Sequence, residues 1–107
     1  MERGEVRWYT FKQPDKRRPV LILTRTPAIQ YLHTVTVVSI TTTTRGVPSE
    51  VLLTPEDGMP EICAANFYNL HTIPQNDIDG LITVLSPEKM ADVDQAIAFA
   101  LGMDSWL

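Results

Sequence analysis

Two short stretches carry side chains of the type and spacing that could act on a phosphate. The first is Lys16-Arg17-Arg18-Pro19. Arginine presents a planar fork of donors that meets a phosphate at two points. Proline cannot donate to a sheet ladder, so a strand commonly starts at one. On that reading the strand begins at Pro19 and holds Arg18 at its mouth. The plainer reading of the pair is a surface charge cluster that serves solubility. The second stretch is Val38–Gly46, VSITTTTRG, where four threonines end a β-branched run beside an arginine. The Thr41 hydroxyl can donate to a phosphate oxygen, and its β-branch restricts the rotamer. In a regular strand Thr41 and Thr43 share one face, and Thr42 and Thr44 the other. The plainer reading of Thr42–Thr44 is an edge strand continued by exposed threonines.

Other reactive types are sparse. His33 and His71 could carry protons near neutral pH, although a histidine is often only structural. Cys63 stands alone in the apolar run EICAAN, where a small buried thiol is expected and an internal disulfide is impossible. Two histidines and one cysteine far apart make no zinc pattern, so no metal is expected.

The charge is unevenly spread. Residues 1–50 hold eight of the nine Lys/Arg and four acids, whereas residues 51–107 hold Lys89 alone against nine acids. A bipolar chain can offer a basic face to a polyanion and keep an acidic face elsewhere, unless folding mixes the charges. No stretch approaches the roughly 18 apolar residues of a membrane helix, and the charged start MERGEVRWYT lacks the apolar centre of a secretory signal. A cytoplasmic protein of one domain, residues 1–107, is therefore expected.

The elements that must position these residues follow from residue type. Glu5–Phe11, Pro19–Thr24, Thr34–Thr42 and Glu50–Thr54 read as strands, Ile62–Tyr68 and His71–Ile73 as further strand or bent strand, and Leu81–Leu85 as the last. Lys12–Arg18 reads as a polar turn, and 27–33 as a loop or short turn. Ser86-Pro87 opens a helix by capping, and Gly102 closes it. Met90, Val93, Ile97, Ala100 and Leu101 form its buried stripe, which leaves Asp92 and Asp94 to solvent. Several short strands followed by one terminal helix predict a mainly β fold with α, a small bent barrel closed by a C-terminal helix.

The pieces RGEVRW, RRPVLIL, VVSITTTTRGVPSEV, HTI and LITVLSPEKMADVDQAIAFALGM occur in the order of a known family. The chain resembles the MazF/PemK (Kid) toxins of type II toxin–antitoxin systems, which share a fold with the gyrase poison CcdB. The resemblance implies an SH3-like barrel with a C-terminal helix, and a homodimer. It implies a metal-independent, cofactor-free endoribonuclease that cuts single-stranded RNA at short sequences. In such a reaction the 2′-hydroxyl attacks its own phosphate, leaving 2′,3′-cyclic phosphate and 5′-hydroxyl ends. The family's catalytic arginine precedes the proline of the second strand, which is Arg18 here. Its catalytic threonine ends the "IT" of the third strand, which is Thr41 here. Lys16, Arg17, Thr43 and Arg45 are then candidates to contact the RNA. A cognate antitoxin is the implied protein partner.

Two departures from the family stand out. The first loop usually carries a longer GSEQxG-type segment, whereas Lys12–Arg17 is short, which implies a more open groove and a different base preference. Some relatives carry Arg-x-Asp or Ser-x-Asp ahead of the "TI" strand. Here Asn66-Phe67-Tyr68-Asn69 occupies that place, with Tyr68 where the acid would be. Asn66, Tyr68 and Asn69 could read bases by hydrogen bonding and stacking, or could form a packed bend. A competing reading rests on Trp106, because CcdB-like toxins grip DNA gyrase through a tryptophan near the C-terminus and are not enzymes.

Overall fold

β-Branched and aromatic residues stand off a pleated surface without crowding a helical turn, and they dominate the strands of this chain. The computed structural model describes residues 1–12 and 16–104, and Trp106 lies outside them. The described strands are β1 Glu5–Phe11, β2 Lys16–Ile22, β3 Thr34–Thr41, β4 Glu50–Leu53, β5 Cys63–Pro74 and β6 Leu81–Val84. The helices are α1 Thr26–Ile29 and α2 Pro87–Ala100. All strand pairs are antiparallel, in the order β4-β5-β3-β2-β1-β6.

The sheet curls until its two edges approach. The hydroxyl of Thr83 in β6 donates to the carbonyl of Asp57, just beyond β4, at 2.9 Å. Lys89 at the start of α2 donates to the carbonyl of Leu52 in β4 at 3.3 Å and pairs with the Asp57 carboxylate at 3.7 Å. Both faces of the curl are packed. One buries Val6, Leu21, Val38, Ile40, Leu53 and Phe67 beneath Val93 and Ala96 of α2. The other buries Tyr9, Val20, Ile22, Val35, Val37 and Ile73, with Ile29 of α1 among them. The run Val20-Leu21-Ile22 is therefore continuously apolar because alternate residues enter different cores.

Several boundaries differ from those expected. β2 begins at Lys16, so Arg17 and Arg18 are strand residues paired with Thr10 and Tyr9, and Pro19 lies within the strand opposite Trp8. The proline is tolerated because of its place in the ladder. Leu23 N–H donates to the carbonyl of Thr36, so residues 19, 21 and 23 turn their backbone groups toward β3. β2 and β3 pair only from Val20↔Ser39 to Ile22↔Val37. The next hydrogen-bonded rung would be Pro19 with Ile40, where proline has no N–H to give. The ladder stops there, and β2 and β3 splay apart.

β3 ends at Thr41, so Thr42–Thr44 do not continue the strand. The segments around 62–68 and 71–73 form one bent strand, β5, the second of the two readings expected there, broken in register but not in continuity. Between the pairs Val38↔Leu70 and Ile40↔Ala65, β3 contributes Ser39 while β5 contributes Asn66–Asn69. The bulge bends β5 and reverses which residues face each core. Cys63, Ala65 and Phe67 face the α2 side before it, whereas Leu70 faces that side after it and Ile73 faces the other.

The terminal helix is capped as expected, with Ser86 Oγ accepting from Lys89 N–H at 3.1 Å and Gly102 in the left-handed region. Its buried stripe is Val93 and Ala96, with Met90, Ile97 and Ala100 beside them. Leu101, the C-cap residue whose N–H still bonds the Ile97 carbonyl, is 54% exposed and lies outside that stripe. No described helix is long and apolar enough to cross a membrane.

Candidate active site

The splay between β2 and β3 opens the sheet at the residues of chemical interest. Val20↔Ser39, Leu21↔Val38 and Ile22↔Val37 keep one register, and its extension sets Arg18 opposite Thr41. Alternation puts both side chains on the face of Val20 and Ser39. Arg18 and Thr41 are both half-buried, and both line two neighbouring cavities, of about 380 and 350 Å³. They form the ridge between them.

The larger cavity is walled on one side by Trp8, Arg17 and Pro19 and on the other by Thr42, Thr43, Met59 and Glu61. The Arg17 guanidinium lies over the Trp8 ring, 4.3 Å from its centroid, which fixes the cation beside an aromatic platform. Cys63 closes the wall and is 4% exposed. Burial, then the carboxylates of Glu61 and Asp57, push its thiol pKa up, so it stays a thiol and a poor nucleophile at neutral pH. The smaller cavity is lined by Phe11, Lys16, Ser39, Asn69 and His71 besides the ridge pair. The His71 ring rests on Phe11, with centroids 4.8 Å apart and planes tilted by 58°.

Thr41 and Thr43 are tied together by the backbone. The Thr41 hydroxyl donates to the carbonyl of Thr43 at 3.2 Å, which orients it at the strand end. The loop beyond is held by Glu50, whose carboxylate accepts from the N–H groups of Arg45 and Gly46 at 2.9–3.1 Å. Of the residues expected near the RNA, Lys16, Arg17, Thr43 and Asn69 gather around Arg18 and Thr41. Arg45 lines neither cavity. Asn66 turns inward, its Oδ1 accepting from Ser49 Oγ and Tyr68 N–H, both at 3.1 Å, and so supports the bulge. Tyr68 is 64% exposed at the crest of that bulge. His33 lies just before the far end of β3 and is exposed.

The charges mix only in part on folding. Arg3 pairs with Asp94 at 2.6 Å, Arg7 with Glu5 at 2.7 Å and Lys89 with Asp57. Among the described residues no carboxylate pairs with Lys16, Arg17 or Arg18. No three described His, Cys, Asp or Glu side chains gather where they could hold a metal ion.

Trp8, Met59, Glu61 and Cys63 were not expected at the site. Trp8 had a signal, a large aromatic on an arginine-flanked strand, but its meeting with Arg17 depends on the β1–β2 register. Met59 and Glu61 reach the site because the turn Pro55–Asp57 is capped by Thr54 and locked to β6 by Thr83.

Comparisons with known proteins concern the chain as a whole. The family described as "PemK-like, MazF-like toxin of type II toxin-antitoxin system" matches residues 2–101. The chain is 40% identical over 103 residues to a protein named "Probable endoribonuclease MazF2" of Mycobacterium tuberculosis, covering 95% of this chain and 99% of that one. Its fold is similar to that of a solved structure of the M. tuberculosis toxin MazF-mt6, with a TM-score of 0.85 and 34% identity over 95% of this chain and 99% of the other. It is also similar, at a TM-score of 0.86 and 25% identity over 100% and 99% of the two chains, to a mycobacterial endoribonuclease solved with its cognate antitoxin.

Proposed function

We propose that this chain, which belongs to the PemK-like, MazF-like toxins of type II toxin–antitoxin systems, is a metal-independent endoribonuclease that cuts single-stranded RNA at a short sequence. The observation that carries the reading is that Arg18 and Thr41 both line the same two neighbouring cavities, where β2 and β3 stop pairing. A phosphate on the ridge meets a fixed cation and a hydroxyl donor, and each cavity can take a flanking nucleotide.

The chemistry follows from these groups. The 2′-hydroxyl of the upstream nucleotide attacks phosphorus, the bond to the 5′-oxygen breaks, and the products carry a 2′,3′-cyclic phosphate and a 5′-hydroxyl. Charge accumulates on the non-bridging oxygens in the transition state. Arg18 neutralises it, and Thr41 turns its single hydroxyl proton from the Thr43 carbonyl to the phosphoryl oxygen. A cation fixed before the reaction supplies much of the acceleration because it need not reorganise when the charge appears. A guanidinium is not deprotonated in proteins, so Arg18 acts by charge and not as a proton carrier. Lys16 and Arg17 guide the chain of phosphates, Arg17 from its seat on Trp8. Single-stranded RNA is read by stacking and edge hydrogen bonds, a role open to Trp8, Tyr68 and Asn69.

The same reading extends to fold type and partners. Residues 1–107 act as one domain with the SH3-like barrel of the CcdB and PemK toxins, and the chain works in the cytoplasm as a homodimer. A cognate antitoxin with an acidic, flexible tail neutralises it by occupying Lys16, Arg17 and Arg18 in place of phosphate. The test is cleavage of single-stranded RNA by the purified chain in EDTA, with the ends mapped. New 5′-hydroxyl ends at a recurrent short sequence are expected. Intact RNA, or activity only when a divalent ion is restored, would sink the reading.

A further inference from the structure

RNA cleavage by an internal 2′-hydroxyl requires a group that takes the hydroxyl proton. Arg18 is permanently charged, and Thr41 is a weak acceptor of protons. In the smaller cavity Lys16 and Arg18 face from β2, Phe11 from β1, and Ser39 and Thr41 from β3, with Asn69 beside His71 on β5. Among these described side chains only the His71 imidazole combines a free lone pair with the basicity to accept a proton at neutral pH.

The fold brings it there deliberately. Simple alternation along β5 from Ala65 and Phe67 would turn residue 71 toward α2. The bulge at Asn66–Asn69 reverses that, so Asn69 and His71 join the face of Arg18 and Thr41. The curl of the sheet then seats the His71 ring on Phe11, two residues beyond Tyr9, which is the β1 partner of Arg18. The ring is half-buried, held by an aromatic neighbour, and open to the cavity.

We propose that His71 is the general base of RNA cleavage, taking the 2′-hydroxyl proton across the smaller cavity while Arg18 holds the phosphoryl charge. The inference rests on the endoribonuclease reading above. In the step, an imidazole nitrogen accepts the proton as the bond from the 2′-oxygen to phosphorus forms. The bond from phosphorus to the 5′-oxygen breaks, and that oxygen takes a proton from water. The imidazolium then returns its proton to solvent.

The test is single-turnover cleavage of a short RNA by the full chain, measured against pH. The wild-type rate is expected to climb with pH across the histidine range. His71→Gln is expected to lower the rate at neutral pH by about 10²–10⁴-fold and to flatten that climb. His71→Ala is expected to regain activity with added imidazole, which a merely structural histidine would not permit. The same variants should slow a substrate with a sulfur leaving group as much as its oxygen parent, since a base does not act on the leaving group. A His71→Gln enzyme that keeps the acid-side climb, or an alanine variant that imidazole leaves unchanged, overturns the proposal. A wild-type profile that is flat on the acid side overturns it without any variant. Each of these outcomes leaves the endoribonuclease reading standing, whereas a wild-type chain that cuts no RNA defeats both.

Discussion

The two halves of the β2–β3 pair are built from the same strands and do opposite things. From Val20 to Ile22 the strands are laddered, every side chain of β2 is buried, and the two cores meet back to back. From Lys16 to Pro19 the strands diverge, the side chains are cationic, and the facing segment of β3 ends in hydroxyls. What separates them is one missing donor, at the rung where Pro19 would pair with Ile40. A sheet that continued its ladder would zip the cavities shut. A sheet that lost more of it would give up the rigid frame that sets Arg18 opposite Thr41. The lesson is that an active site can be made by stopping a ladder instead of adding a loop.

That contrast can be broken from either side. The largest effect is expected from Arg18→Ala in the open half, a loss of about 10³–10⁵-fold in cleavage if its charge acts as an arginine finger does. Thermal unfolding should be nearly unchanged, because Arg18 is half-buried and makes no ion pair among the described residues. Leu21→Ala in the closed half should do the reverse. It should cost about 2–5 kcal/mol of stability by leaving a cavity in a fully buried position, read from denaturant unfolding, with cleavage retained by the protein that stays folded. Next comes Thr41→Val, expected to slow cleavage by about 10²-fold as one transition-state donor is lost. Thr43→Val is the control, since Thr41 bonds the Thr43 carbonyl and valine keeps it. Equal losses in both would break the assignment of Thr41. The smallest effect is expected from Pro19→Val, which returns the absent N–H. It should slow amide exchange at Ile40 and reduce cleavage by about tenfold or less as the ladder lengthens. An unprotected Ile40 amide would show that the splay has another cause.

Much of this was readable without coordinates. The strands β1, β3 and β6 follow from their β-branched and aromatic content, and α2 follows from Ser86-Pro87, its apolar spacing and Gly102. Arg18 and Thr41 were marked by residue type, and family order gave them roles. Three features were misread. Pro19 suggested the start of a strand, because the rule that proline avoids ladders says nothing of which edge its nitrogen faces. The threonine row suggested a longer strand, since propensity is local, whereas β3 stops where β2 has already left it. Leu101 fitted the helical period, yet at the C-cap it stays exposed beside the buried stripe.

The amino-acid sequence by itself determined that the chain would bury a β core under a capped helix, and that cations would precede a proline and hydroxyls would end a β-branched run. These are properties of neighbours in the chain, and local sterics and charge suffice to set them. Only the tertiary structure decided that Arg17 lies on Trp8, that Arg18 and Thr41 line the same two cavities, and that His71 joins them in one. Each depends on register between strands far apart in the chain. In β5, four residues placed opposite one reverse every side chain that follows, and no local preference encodes that count.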